Sequence, residues 1–562
     1  MHQFNKICIL LIIIVSPVFA QSELREQGLI TSEPFWRQAL GGAVVSLPSV
    51  QAQSAVVALD GGNIRAYSTA GRPMWNYSAR GRISPYVTRS REGTSYISRT
   101  NGTLIAINRA GRELWQRDLG SPLSARVIVG WDGRLFAPAE DQIICYTASG
   151  NKLWTRAFES PFLIAPKLDR NGGIIFALEN KEVYRIDPFG NINKWTISNA
   201  PSVILSIGQQ KILVIYADGA IEVLGSAQEW FISAQSDTHV ISLPKLPSSP
   251  LAAAGKENHV AAVMNDGRIA FISTEDRKIL WTGDTHIREL ISSGNRPDME
   301  AEMFFDERGI YILTKNGASC FLPDGKRLWF TFLQNAASVP AFGNDGVLYS
   351  GGADWILYAY KIEDRILHEE NALYGPKPQG AYGMGRPRIP DALEIPLNSY
   401  EKIAKLNHIS KAINEGTVGV NEPDWTSFLL TISAGQDHIQ LRLNAINMLG
   451  KIGSLETVPW LVNIFKVSHE PTIRAAAIIA VGDIGVDPEA SALQTFLHLM
   501  IYDTSVKDGH ILTAIASATG ALCRFSGPPL GEIGIRILNM IAAANQPQNA
   551  RRQAARELAS LR

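Results

Sequence analysis

Ten histidines and four cysteines are the residues of this 562-residue sequence best suited to hold a metal or to attack an electrophile. Their spacing supports neither chemistry. No two histidines stand four apart and no His-Glu-x-x-His occurs, so the two-histidine helical zinc pattern is missing. His286 follows a tryptophan-ending segment and His498 lies in a helical pattern, and each reads as an ordinary surface or core residue. There is no Cys-x-x-Cys pair and no Gly-x-Ser-x-Gly elbow. Cys8 falls in an N-terminal apolar run, which leaves Cys145, Cys320 and Cys523, too few and too dispersed for a disulfide framework. Cys145 and Cys320 each precede a Gly-x-x-x-Trp ending in an apolar strand, a place for a buried packing thiol. Asp132, Asp218, Asp266 and Asp345 are each followed by glycine and read as turn residues. Gly380, Gly383 and Gly385 have no strand before them and Pro387 after them, which excludes a phosphate-binding loop. The expectation is therefore a protein with no catalytic, cofactor-binding or metal-binding residues.

Lys+Arg and Asp+Glu are equal at 53 each, so the overall balance carries no sign of a nucleic-acid binder or a polybasic membrane binder. A hydrophobic fraction of 46% with 19% charged residues is that of folded globular chains. The start "MHQFNKICILLIIIVSPVFA" has a basic Lys6, an apolar run from Ile7 to Val15 and small residues before Gln21. The run is too short to span a bilayer, which takes about 20 residues as a helix. It reads as a signal peptide (1–20) cleaved near Ala20, and the mature chain as exported, periplasmic or extracellular. No later run predicts a transmembrane segment, and no cysteine after the cleavage point predicts a lipid anchor.

What positions the remaining residues is a repeat. "GGNIRAYSTAGRPMW", "NGTLIAINRAGRELW", "EDQIICYTASGNKLW", "NKEVYRIDPFGNINKW", "DGAIEVLGSAQEW", "DGRIAFISTEDRKILW" and "NGASCFLPDGKRLW" end at Trp75, Trp115, Trp154, Trp195, Trp230, Trp281 and Trp329. The intervals are 40, 39, 41, 35, 51 and 48 residues, the length of four short strands. Gly71, Gly111, Gly150 and Gly325 precede four of these tryptophans at a fixed four-residue offset, where a turn needs a permissive backbone. Four-stranded units of this kind bury both faces only by radial stacking, which predicts a β-propeller over residues 30–362. The last unit, "GADWILYAYKI", lacks a tryptophan-ending strand, and an unpaired Trp36 near the N-terminus can supply it. That closure gives eight blades, with seven as the alternative because the units ending at Trp230 and Trp281 are irregular.

The stretch "AINRAGRELW" (106–115) resembles the repeat of the quinoprotein-type, or PQQ-like, β-propellers. That family holds quinone-dependent alcohol dehydrogenases and non-enzymatic BamB-like propellers of outer-membrane assembly. Its dehydrogenases generally keep the quinone under a disulfide of adjacent cysteines, beside a calcium and a catalytic Asp. This sequence has no Cys-Cys pair. The resemblance thus implies the fold and leaves a quinone-dependent dehydrogenase as an alternative.

After Ile362 the texture changes. Residues 363–397 are dense in Gly and Pro and read as a linker. Residues 398–562 carry helical periodicity, and "RLNAINMLGKIG" (442–453) returns as "RAAAIIAVGDIG" (474–485) after 32 residues. This resembles HEAT repeats of the phycobilisome-lyase type and predicts an α-solenoid of helical pairs. Its repeated positions are Arg442 and Arg474, Gly450 and Gly482, Gly453 and Gly485. The arginines are expected to pack and pair between repeats, with a basic partner-binding stripe as the other reading. Asp487 is expected to be a helix N-cap with Pro488 as the first helical residue. Two rigid repeat modules in one exported chain predict a scaffold or adaptor for envelope proteins, with a small-ligand sensor using the propeller channel as a further alternative.

Overall fold

Short apolar runs separated by glycine-bearing turns fold as antiparallel hairpins, and their two-sided burial forces the hairpins to stack. A computed structural model describes residues 33–362 and 397–561, apart from 52, 131, 171, 208–210, 226–240, 286–300, 316, 334, 344, 419–424, 488–489 and 527–529. Trp230, His286, Pro488, the glycines 380, 383 and 385, and the proposed signal peptide lie outside the described residues. The chain is an eight-bladed β-propeller followed by a helical repeat region. Seven four-stranded sheets run in sequence order, and the eighth is completed by the strand Trp36–Ala39, antiparallel to Ile356–Lys361 with Trp36 opposite Ala359. The closure expected from Trp36 is thus made, and the seven-blade alternative falls. Blades 1 to 8 span residues 49–78, 83–118, 128–157, 162–196, 201–243, 250–284, 301–332 and 341–361.

The second strand of a blade is sandwiched, as in Ser54–Ala58, Leu135–Ala139 and Ile174–Leu178, where every residue is buried. Outer strands such as Lys278–Asp284 alternate between exposed and half-buried residues, the period-two pattern of a one-sided surface. Blade 5 departs from the sequence reading. Its fourth strand is Ile241–Leu243, paired with Ile221–Leu224, so no strand ending at Trp230 serves there. Sixteen residues, 225–240, stand between its third and fourth strands, which explains the intervals of 35 and 51 on either side of Trp230.

Two compact units result: blades 1–4 with the helices, and blades 5–8 with Trp36–Ala39 and Thr69–Gly71. In the second unit, blades 5 and 6 share a cluster including Leu213, Ile215, Val260 and Met264. Blades 7 and 8 share one built on Tyr311, Phe342 and Leu348.

In the first unit the helices are α1 (Ser399–Glu415), α2 (Trp425–Ala434), α3 (Ile439–Ile452), α4 (Val458–Val467), α5 (Pro471–Ile484), α6 (Ser491–Tyr502), α7 (Gly509–Ser526), α8 (Leu530–Ala542) and α9 (Gln548–Leu561). Asn398 and Glu401 form a reciprocal capping box at the start of α1. Gly416, Gly453 and Gly485 end α1, α3 and α5 with left-handed φ of 67°, 71° and 78°. Odd-numbered helices stack on one another, as do even-numbered ones, in two layers. Asp487 does not act as the N-cap expected. Helix α6 begins at Ser491, and the Asp487 carboxylate reaches forward to accept from the Ala492 and Leu493 N–H groups at 3.2 and 3.0 Å. Those donors are orphaned at any helix start, and a buried carboxylate upstream satisfies them.

Candidate interaction surface

The repeated tryptophans act between blades. Trp75, Trp115, Trp154 and Trp281 lie over Gly111, Gly150, Gly190 and Gly325 of the next blade, where a Cβ would stand 2.6 to 3.1 Å from the ring. Trp36 covers Gly71 in the same way. The glycine therefore serves the tryptophan of the preceding unit, and the pair within one repeat does not meet. In four of these five pairs the indole N–H reaches the carbonyl two residues before the glycine, Trp75 being the exception. Trp36, Trp115, Trp154 and Trp281 donate to Thr69, Ala148, Pro188 and Pro323 at 2.8 to 3.0 Å. Trp195 is buried in the outer strand of blade 4, and Trp329 lies 6.0 Å from the Phe342 ring of blade 8.

Within a blade, Trp75, Trp115, Trp154, Trp281 and Trp329 each face a residue of the third strand directly followed by a bulge. Ala66 and Ala106 hold that place in blades 1 and 2, and Cys145 and Cys320 hold it in blades 3 and 7. The cysteines thus substitute for alanine under an aromatic ring. The three described cysteines are buried thiols outside any disulfide. Burial pushes the Cys523 thiol up to about 12 and the Cys145 thiol up as well.

Two arginines escaped the sequence reading. Arg117 and Arg156, each two residues after a tryptophan, donate Nε to the Gly150 and Gly190 carbonyls at 2.6 and 2.8 Å. The signal was the Trp-x-Arg in "ELWQRD" and "KLWTRA".

Among the helices, Gly450 and Gly482 admit the next repeat. A Cβ there would stand 2.9 Å from Ala480 Cα and 2.8 Å from Ala518 Cα. Arg442 and Arg474 donate Nε to the Ser433 and Phe465 carbonyls, each nine residues back, at 3.2 and 2.9 Å. Those carbonyls lie in the last turns of α2 and α4, where intrahelical donors run out and the dipole favours a cation. Arg474 also pairs with Asp503 at 3.1 Å. The arginines are inter-helix clamps rather than a stripe presented to solvent.

The odd-numbered helices direct their C-terminal ends onto the turns of blades 2 and 3. Gly453 abuts Thr147, Leu455 abuts Gly133, and Val418 just beyond α1 donates to the Leu153 carbonyl at 2.9 Å. The last carbonyls of α7 and α9 also have propeller donors. Asn108 Nδ2 reaches Arg524 O at 2.6 Å, and Arg112 reaches Leu561 O. A single apolar cluster joins Trp154, Phe158 and Phe176 of the blades to Leu406, Ile409 and Trp425 of the helices. Between the two lies a narrow cleft lined by Ser90, Glu92, Thr94, Tyr96, Gly133, Ala148, Leu455 and Val486.

The opposite edge of the helical layers is open. Ile439, Val467, Ile501 and Tyr502 flank successive even-to-odd helix turns and are 36%, 61%, 48% and 73% exposed. No group of His, Cys, Asp and Glu suited to a metal occurs among the described residues. No described helix is long and apolar enough to cross a membrane.

Residues 100–229 match the family model described as outer membrane protein assembly factor BamB, and residues 426–506 match the HEAT repeat model. No curated protein matches the chain. Similar folds occur in BamB from Moraxella catarrhalis, at 14% identity and a TM-score of 0.44 over 59% of this chain and 99% of that one. The designed Ika8 protein is 14% identical with a TM-score of 0.45, covering 59% of this chain and 100% of its own. Saccharomyces cerevisiae Sqt1 is 8% identical with a TM-score of 0.46, covering 60% and 99%.

Proposed function

We propose that this protein is a non-enzymatic scaffold that binds envelope proteins, with the helical edge away from the blades as one binding surface. The row Ile439, Val467, Ile501 and Tyr502 carries the reading, because apolar side chains exposed at successive repeats have no use in the fold itself. The recurrent Trp, Gly and Arg positions are consumed by packing, which leaves them no part in catalysis. The match of residues 100–229 to a family described as an assembly factor supports the same class and a setting in envelope protein assembly. Export follows from the signal-like N-terminus, and N-terminal sequencing of the mature chain is expected to begin at Gln21. The test is photo-cross-linking in vivo from position 502, followed by mass spectrometry. One or a few envelope proteins are expected to recur, and background proteins alone would sink the reading. Reconstitution with quinone and calcium is expected to yield no dye-linked alcohol oxidation.

A further inference from the structure

Four arginines are buried among the described residues, and three of them hold a carboxylate. Arg134 pairs with Asp132 at 2.9 Å, Arg185 with Asp169 at 3.0 Å and Arg474 with Asp503 at 3.1 Å. Arg89, 1% exposed, holds none. Its Nη1 donates to the Gln51 and Ser54 carbonyls at 2.8 and 2.7 Å, and its Nη2 to Gly93 O at 3.2 Å. Carbonyls satisfy the donors and leave the charge without a counter-ion. The charge nearest to it is of the same sign, the half-buried Arg109. Desolvation, with that repulsion added, brings Arg89 down to about 9. Burial lowers Arg109 too, and among the described residues no carboxylate offsets it.

The acidic groups of the neighbourhood are engaged elsewhere. Glu92 lines the cleft with Tyr96, Glu113 accepts from the Tyr77 hydroxyl at 2.5 Å and from Gln116 Nε2 at 2.8 Å, and Glu557 pairs with Arg524. Asp60 follows a second strand and Asp118 ends a fourth, which puts both on the opposite face from the turns that carry Arg89 and Arg109. What surrounds the pair is more arginine. From residue 7 to 151 there are fourteen arginines and no lysine, and blades 1 and 2 (49–118) hold ten arginines against four acidic residues. After Lys507 arginine again stands alone. The fold joins these two lysine-free stretches. Asn108 Nδ2 and Arg112, on either side of Arg109 in one turn, reach the Arg524 and Leu561 carbonyls at the ends of α7 and α9. Arg556 is exposed about one and a half turns before that end of α9. A guanidinium offers a planar fork that matches a carboxylate, and an ammonium does not. Arg109, half-buried between a blade turn and two helix ends, is within reach of a side chain and not of a flat bilayer.

We infer that the Arg109 corner of blade 2 receives an acidic, Asp- or Glu-bearing segment of a partner protein, with a carboxylate on the Arg109 guanidinium. It rests on the scaffold reading and names a second surface for it. The probe is a rhodamine-labelled peptide of three Gly-Glu-Gly-Ser repeats, with the lysine counterpart as control, titrated by anisotropy against the full chain. The glutamate peptide is expected to bind and the lysine peptide not to. Arg109→Gln is expected to weaken binding about tenfold without lowering Tm, because a half-buried cation lacking a counter-charge does not stabilise the fold. Arg109→Lys keeps the charge and loses the fork, and is expected to weaken binding severalfold. Arg536→Gln, at an exposed position of α8, is expected to leave it unchanged. Unchanged binding by either Arg109 variant, equal binding of the two peptides, or an equal loss from Arg536→Gln each overturns the proposal. A lowered Tm on Arg109→Gln does so as well, by making the guanidinium structural. Binding to anionic phospholipid vesicles without binding to the glutamate peptide overturns it in favour of a lipid surface. Absence of peptide binding while position 502 still cross-links its partner removes this corner alone. Loss of both removes the scaffold reading as well.

Discussion

Among single residues, the tryptophan that crosses to the next blade is the unit of cohesion. Trp154 is fully buried, sits over Gly190 and donates to Pro188 O. Trp154→Ala is expected to cost about 3–5 kcal/mol in chemical denaturation, the range for emptying a large aromatic site. Gly150→Ala meets two obstacles at once, a φ of 80° and the Trp115 ring 2.7 Å from the new Cβ. A loss of more than about 1 kcal/mol is expected from the backbone conformation alone. The cysteines give a simpler test. With Cys523 pushed up to about 12 and Cys145 also raised, the folded state keeps both thiols protonated at pH 8. Iodoacetamide is expected to leave Cys145, Cys320 and Cys523 unlabelled in the native protein and to label all three in denaturant, as read by intact mass.

Between elements, the helical layers depend on small residues and on arginine clamps. Gly482→Leu would push α5 from α7, because even the first atom of the new side chain, its Cβ, would stand 2.8 Å from Ala518 Cα. A fall in Tm is expected, larger than for Leu introduced at an exposed helical site. Arg474 is buried and satisfies both Phe465 O and Asp503, whereas Arg442 is half-buried and donates to Ser433 O. Truncating Arg474 to alanine is expected to cost about 2 kcal/mol, and truncating Arg442 roughly 1 kcal/mol, since the buried Arg474 adds a charge-assisted bond to Asp503. Equal losses in denaturant titrations would argue against the clamp role of Asp503.

For the molecule as a whole, the helices and blades 1–4 fold as one body, because the apolar cluster runs from Trp154 and Phe176 into Leu406 and Trp425. The outer strand Lys152–Ala157 also has its edge covered by the Val418 N–H. A fragment ending at Ile362 is expected to bind the dye ANS and to lose solubility, since it uncovers that edge and the apolar turn faces. A fragment as soluble and dye-free as the full chain would show that the helices only rest on the blades.

The architecture was legible because repetition is a one-dimensional signal. A tryptophan every forty residues or so and an Arg-to-Gly pattern repeated after thirty-two follow from the strand and helix periods. The four-stranded blades, the closure by Trp36 and the C-terminal glycines of α3 and α5 could therefore be read directly. What pairs with what could not. That Trp115 covers Gly150 rather than Gly111, that Arg474 clamps α4, and that Arg112 meets the end of α9 are contacts between residues distant in the chain. Local period and turn chemistry suffice to set the units and their order, so both were readable from the chain alone. Which faces stay open is a property of the folded assembly of units, because exposure depends on how distant segments cover one another.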